Sequence, residues 1–109
     1  MSDGSSTIVT RSKAGVAIRL TDERWRHVTA GHPELTTLRA QVLETLADPE
    51  TIKQGDSGEL LAARFYAQTP LTSKWLVVAY SEIDQTDGFL LTAYLARRLS
   101  ARRTTLWKR

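Results

Sequence analysis

Leu35, Leu38, Val42, Leu43 and Leu46 recur at spacings of three and four residues, which predicts an amphipathic helix from Glu34 until Asp48-Pro49 stops it. Ahead of it, Thr21 or Asp22 suits an N-cap, and Asp22 and Glu23 place negative charge on a first helical turn. A shorter helix is therefore predicted to run to Ala30, with Gly31 as its left-handed terminator and Pro33 barring continuation. After Pro49 the period shifts toward two. Thr51-Ile52-Lys53 reads as a brief strand, Gly55-Asp56-Ser57-Gly58 as a turn, and Glu59 to Ala67 as a longer strand. The nearly continuous apolar run within Lys74 to Ser81 predicts a buried central strand. Asp87-Gly88 signals a turn into an antiparallel partner, Phe89 to Leu95, and Thr104 to Trp107 suits a last strand. Thr7 to Thr10 and Val16 to Leu20 lean toward β and flank a turn-like interval, so they form either a hairpin or a single pairing strand. The sum is an α+β domain: two N-terminal helices packed on one face of a mostly antiparallel sheet of four to five strands.

The 109 residues fit one domain, expected over 8–109 after a small, polar lead over 1–7 that lacks the apolar segment of a secretory signal. No apolar run has the length of a membrane span, so no membrane association is expected. There is no cysteine, which excludes disulfides and thiolate metal sites and fits a reducing cytoplasm. With two histidines as the other soft ligands, neither a metal site nor a cofactor is expected. The net charge of +3 is unevenly spread: residues 97–109 hold six of the fifteen Lys and Arg and none of the twelve acids. The remainder is net acidic, and the positive field is local.

Both histidines fall in Trp25-Arg26-His27-Val28-Thr29-Ala30-Gly31-His32-Pro33-Glu34. Imidazole is the side chain that ordinarily titrates near neutrality, so proton transfer at pH 7 would start here. His27 sits off the apolar stripe and is free to meet a ligand or simply to be a surface histidine. His32, at the helix end, either finishes the helix or joins His27 as an acid–base pair, depending on the turn at Gly31. Alternation along Phe89 to Leu95 puts Thr92 and Tyr94 on one strand face, where their hydroxyls either serve a common ligand or merely suit a half-exposed strand. Arg64 interrupts an apolar strand. It either clamps an anion or pairs with one of the acids. Arg97, Arg98, Arg102 and Arg103 suit phosphate neutralisation, although such runs can also be only solubilising.

The Trp-x-His and His-Pro-Glu elements within Leu20 to Leu35, the strand Val77 to Tyr80, and Gly88-Phe89-Leu90-Leu91-Thr92-Ala93-Tyr94 followed by Arg97-Arg98 resemble the small metal-independent ribonucleases of the barnase, EndoU, colicin and RelE-like (BECR) fold, in particular their phage-associated nuclease branch. The resemblance runs over most of the chain from Val16 onward. It implies a toxin-like endoribonuclease that uses 2′-hydroxyl attack to leave a 2′,3′-cyclic phosphate, with RNA as partner and a cognate antitoxin or immunity protein alongside. On that resemblance His27 corresponds to a helical catalytic histidine, and Thr92 and Tyr94 to strand-borne site residues. His32 or Tyr94 would support the leaving oxygen, while Arg64, Arg97 and Arg98 stabilise the phosphorane. The rival reading is a non-catalytic nucleic-acid-binding or partner-interaction module.

Overall fold

Two short strands, β1 (Thr7–Arg11) and β2 (Ala17–Leu20), precede α1 (Asp22–Gly31) and α2 (Arg39–Ala47). Five more follow: β3 (Thr51–Gln54), β4 (Leu60–Tyr66), β5 (Lys74–Glu82), β6 (Gly88–Ala96) and β7 (Thr105–Lys108). The computed structural model describes residues 7–109. Residues 1–6 of the expected lead lie outside the described residues, and Thr7 already belongs to β1.

All seven strands join one sheet in the order β1-β2-β6-β5-β4-β3-β7, which corrects the expectation of four to five strands. The N-terminal pair forms an antiparallel hairpin. Its turn is closed by Gly15 at φ +89°, a conformation glycine adopts without steric cost. The hairpin then docks its second strand parallel to β6, with Ile18 opposite Gly88 and Arg19 opposite Phe89. Two helices lie between β2 and the strand block in sequence, and they supply the crossover a parallel pair requires. At the other edge β7 pairs antiparallel to β3, so the last strand extends the sheet beyond β3 while β6 stays internal, next to β2.

Thr21 caps α1, its hydroxyl accepting from Arg24 N at 2.9 Å. The helix runs through Gly31, which has no positive φ; the expected left-handed terminator is absent. The chain instead leaves the helix at His32, whose N–H donates to Val28 O at 2.8 Å. The second helix is shorter than its apolar spacing predicted. Pro33 to Leu35 make a 3₁₀ turn, Thr36 and Thr37 follow as a turn, and α2 starts only at Arg39. Pro33 presets that turn, and the two β-branched threonines are poor continuers of a helix. Of the expected apolar positions Leu43 is only half-buried and stays outside the main core, while Leu35, Leu38, Val42 and Leu46 are all buried.

They pack with Ile18, Leu20, Val28, Leu76, Val78, Tyr80 and Leu90 into the main core, on the sheet face that carries the helices. The sheet curls around α2, bringing Lys13 Nζ, in the turn after β1, to 5.0 Å from the ring centre of Trp107 on β7. The opposite face of β4, β5 and β6 carries a thinner cluster of Leu61, Ala63, Val77 and Ala79. No helix among the described residues is long and apolar enough to cross a membrane.

Candidate nucleic-acid interface

Cross-strand register assigns each side chain to a face. Val77 pairs with Ala63 and Tyr94, and Ala79 with Leu61 and Thr92, so Thr92 and Tyr94 share the face opposite the helices, as the alternation predicted. A bulge on β6 at Leu91 shifts the register between Ala79 and Tyr80 and keeps Leu91 on that open face, packed against the small cluster. The basic connection from Arg97 to Thr104 folds back over this face, and Leu99 seats on the apolar cluster. The cations of the connection are thereby held at the rim of an apolar floor.

Two cavities flank Leu99. One, of about 190 Å³, is lined by Tyr94, Lys53, Arg98, Leu99, Ser100 and Arg103 above Leu61, Ala63, Val77 and Ala96. The other, of about 380 Å³, is lined by Trp75, Lys53, Leu99, Glu50, Thr51, Thr105, Lys108 and Arg109. Several rim cations are positioned by contacts of their own. Arg103 pairs with Asp56 at 2.9 Å, Arg109 with Asp48, and Lys53 Nζ donates to Thr105 Oγ1 at 3.1 Å. Arg98 and Lys108 are exposed and have no ion-pair partner among the described residues. Arg102 is exposed beside Gln54, Asp56 and Ser100 in a third, open depression, and Arg97 is exposed just beyond β6.

His32 reaches this face from the side. Its ring centre lies 6.3 Å from that of Tyr94, tilted by 36°, and its Nδ1 is 3.6 Å from Glu34 Oε2. The backbone of His32 is fixed twice, by its N–H on Val28 O and by its carbonyl, which accepts from Leu35 N at 3.0 Å. A carboxylate near one ring nitrogen orients the imidazole and leaves the other nitrogen for a ligand. His32 is thus brought beside Tyr94, which shares its strand face with Thr92 and lines the smaller cavity together with Arg98 and Arg103.

His27 and Arg64 are placed elsewhere. His27 is exposed on α1 in an open depression with Thr21, Glu23 and Arg24, and the turn at Gly31 does not pair it with His32, whose ring meets Tyr94 instead. Arg64 points to the helix-bearing side, opposite Leu76 in register. It donates to Asp48 O at 2.7 Å and Asp48 Oδ2 at 3.0 Å, lies 3.7 Å from Glu44, and stacks 5.9 Å from the Tyr66 ring. Of the two readings of Arg64, the ion pair is the one in place; the anion clamp beside Thr92 and Tyr94 is not. The last turn of α2 has no basic residue, and Arg64 supplies that charge from β4 at the negative end of the helix.

Lys53, Trp75, Leu99 and Lys108 line these cavities and were not singled out from sequence, while Glu34 entered only as part of the His-Pro-Glu element. Trp75 carried a usable signal, because alternation along Trp75-Leu76-Val77-Val78-Ala79 puts it on one face with Val77 and Ala79. Reading the run as buried on both sides hid it. No group of three or more His, Asp or Glu close enough to hold a metal ion occurs among the described residues. No family model, no curated protein and no solved structure matches this chain.

Proposed function

We propose that this protein is an endoribonuclease that binds RNA on the open face of its sheet and cuts it there without a metal. The observation that carries the reading is the His32–Tyr94 pair, 6.3 Å apart, in which Tyr94 lines a cavity whose rim holds Lys53, Arg98 and Arg103. His32, in place of His27, takes the proton from a ribose 2′-hydroxyl. The 2′-oxygen then attacks the adjacent phosphorus, the bond to the 5′-oxygen breaks, and a 2′,3′-cyclic phosphate remains. The leaving 5′-oxygen accepts a hydrogen bond from the Tyr94 hydroxyl and takes its proton from water, and the imidazolium returns its proton to the hydroxide so formed. Arg98 and Arg103 stabilise the charge that develops on the phosphorane. Thr92, one register step along β6, positions the ribose.

Incubation with single-stranded RNA in chelator, followed by end-group analysis, tests this. Cyclic-phosphate ends are expected, with a loss of about 10²–10⁴ in rate for His32→Ala and little change for His27→Ala. Cleavage of DNA, dependence on a divalent ion, or unchanged cutting by His32→Ala each refutes the scheme. A second reading, RNA binding without cleavage, is favoured by the placement of His27 and Arg64, which leaves a single imidazole at the face. It predicts the same binding with no fragments from any variant. Under either reading a cytoplasmic setting suits the cysteine-free chain, and an acidic antitoxin or immunity protein would neutralise it by covering the same basic rim.

A further inference from the structure

Trp75 and Tyr94 stand on adjacent strands of the open face. Trp75 pairs with Ala96, and Tyr94 pairs with Val77, two residues further along β5. Such diagonal neighbours lie roughly 7–8 Å apart, within the reach of consecutive unstacked nucleotides. Each aromatic opens onto its own cavity, and the two cavities share Lys53 and Leu99. Trp75 is braced by Phe65, whose ring meets it edge-on at 5.5 Å and 71°. Among the walls of the Trp75 cavity, the Glu50 carboxylate is repulsive to phosphate and accepts from Phe65 N at 3.0 Å, while Lys53 lies between the cavities and Lys108 at the outer side.

We infer that the open face is a two-base subsite for unpaired RNA: one base stacks on Tyr94, the next on Trp75, and the linking phosphate sits on Lys53. This rests on the RNA reading above and specifies its substrate as single-stranded. Base–aromatic stacking tolerates any sequence because every base presents a π-face, whereas a duplex keeps its bases stacked on each other and unavailable. The cations on the rim give the face the charge complementarity that an RNA backbone needs.

Binding of a short 2′-O-methylated single-stranded RNA, which cannot be cut, separates this inference from the catalytic one. Cleavage can fail while stacking holds, and stacking can fail while His32 still cuts. Trp75→Ala is expected to weaken binding by about 5- to 150-fold, and Trp75→Phe, which keeps an aromatic plane, to retain most of it. With Lys53, Arg98 and Lys108 each taking a phosphate, the plot of log affinity against log salt has a slope of about −2, and Lys53→Gln reduces it by about 0.7. Should Trp75→Ala fail to fold, Trp75→Phe and Lys53→Gln still decide the matter. Equal affinity for a duplex of the same sequence, an unchanged affinity in folded Trp75→Ala, or no change in salt slope in Lys53→Gln overturns the inference. So does competition by polyglutamate as strong as that by RNA, which would mark the face as a site for an acidic protein.

Discussion

Gly88→Ala tests the close approach of β6 to β5 at the point where β2 also joins β6. A Cβ at residue 88 would stand 2.5 Å from the backbone oxygen of Ser81 and 2.9 Å from Ile18 Cδ1. The Ile18 methyl can rotate aside, but the Ser81 carbonyl is part of β5 and moves only with its strand. Restoring an ordinary contact parts β5 from β6 by about 1 Å at the point where β2 is attached by two residue pairs. Overpacking of this kind costs about 1–3 kcal/mol. Gly88 has no positive φ, so the substitution also gains about 0.4–1 kcal/mol by restricting the unfolded chain. The net expectation is a loss of about 1–2 kcal/mol, which at about 4–8 °C per kcal/mol for a domain near this size is a readily measured fall in Tm. Gly31→Ala is the matched control. It lies in α1 with nothing within 4 Å of its Cβ position and should stabilise by about 0.5–1 kcal/mol. Thermal and urea denaturation of both variants measure the difference. If Gly88→Ala is as stable as the parent, or gains as much as Gly31→Ala, β6 does not approach the Ser81 carbonyl of β5 as described.

Other expectations concern charge. Arg64→Gln should lower Tm, because it removes the guanidinium that closes α2, and leave RNA affinity within a factor of about two, since surface changes remote from a binding site add independently; a tenfold loss of affinity with Tm unchanged would return Arg64 to the anion site. Arg109 first, and then Arg64, hold the Asp48 carboxyl below its usual value of 3.8. A lowered acid stabilises the fold above its unfolded pKa and loses that contribution as pH falls through the folded one. Stability should therefore drop below about pH 4, and Asp48→Asn should flatten that acid limb in urea titrations. The Tyr66 hydroxyl is pushed up to about 12 by burial and by its hydrogen bond to Glu44, and burial also raises Tyr80. The folded state then holds protons that the unfolded chain releases near 10, so stability should fall as pH rises from 10 toward 12. Spectrophotometric titration should show Tyr66 and Tyr80 ionising together with unfolding; their smooth ionisation in the folded protein would contradict the burial described.

The parts of this fold that could be read from sequence are those with long, local periodicity. The spacing of Leu35, Leu38, Val42 and Leu46 identified core positions even though a 3₁₀ turn and two threonines divide the segment, because both helix types return side chains to roughly the same side every three or four residues. The long strands around Val77 and Ala93 were equally plain. The short strands β2, β3 and β7, of four residues each, were marked by composition and turn signals, but their places in the sheet were not legible: the β2–β6 pairing, for one, joins residues some seventy apart. The site divides in the same way. Thr92 and Tyr94 share a face by simple alternation, whereas His27 was given the catalytic role from its place off the apolar stripe of the helix and from the family resemblance. Where α1 ends decides that matter, and its extra residue at Gly31 delivers His32 to β6. Arg64 was rightly marked as unusual in an apolar strand, but its partners Asp48 and Glu44 come from another element and are set by packing.

The near meeting of the sheet's two margins, seen where Lys13 approaches Trp107, restricts how another polypeptide can be recruited. Open margins invite strand addition, by a partner or by a second copy in aggregation. Here they are five and four residues long, carry Arg11 and Lys108, and bend toward one another, so they make poor templates for extending the ladder. Recognition is therefore directed onto the broad surface and its side chains, and the choice of ligand is governed by shape and charge.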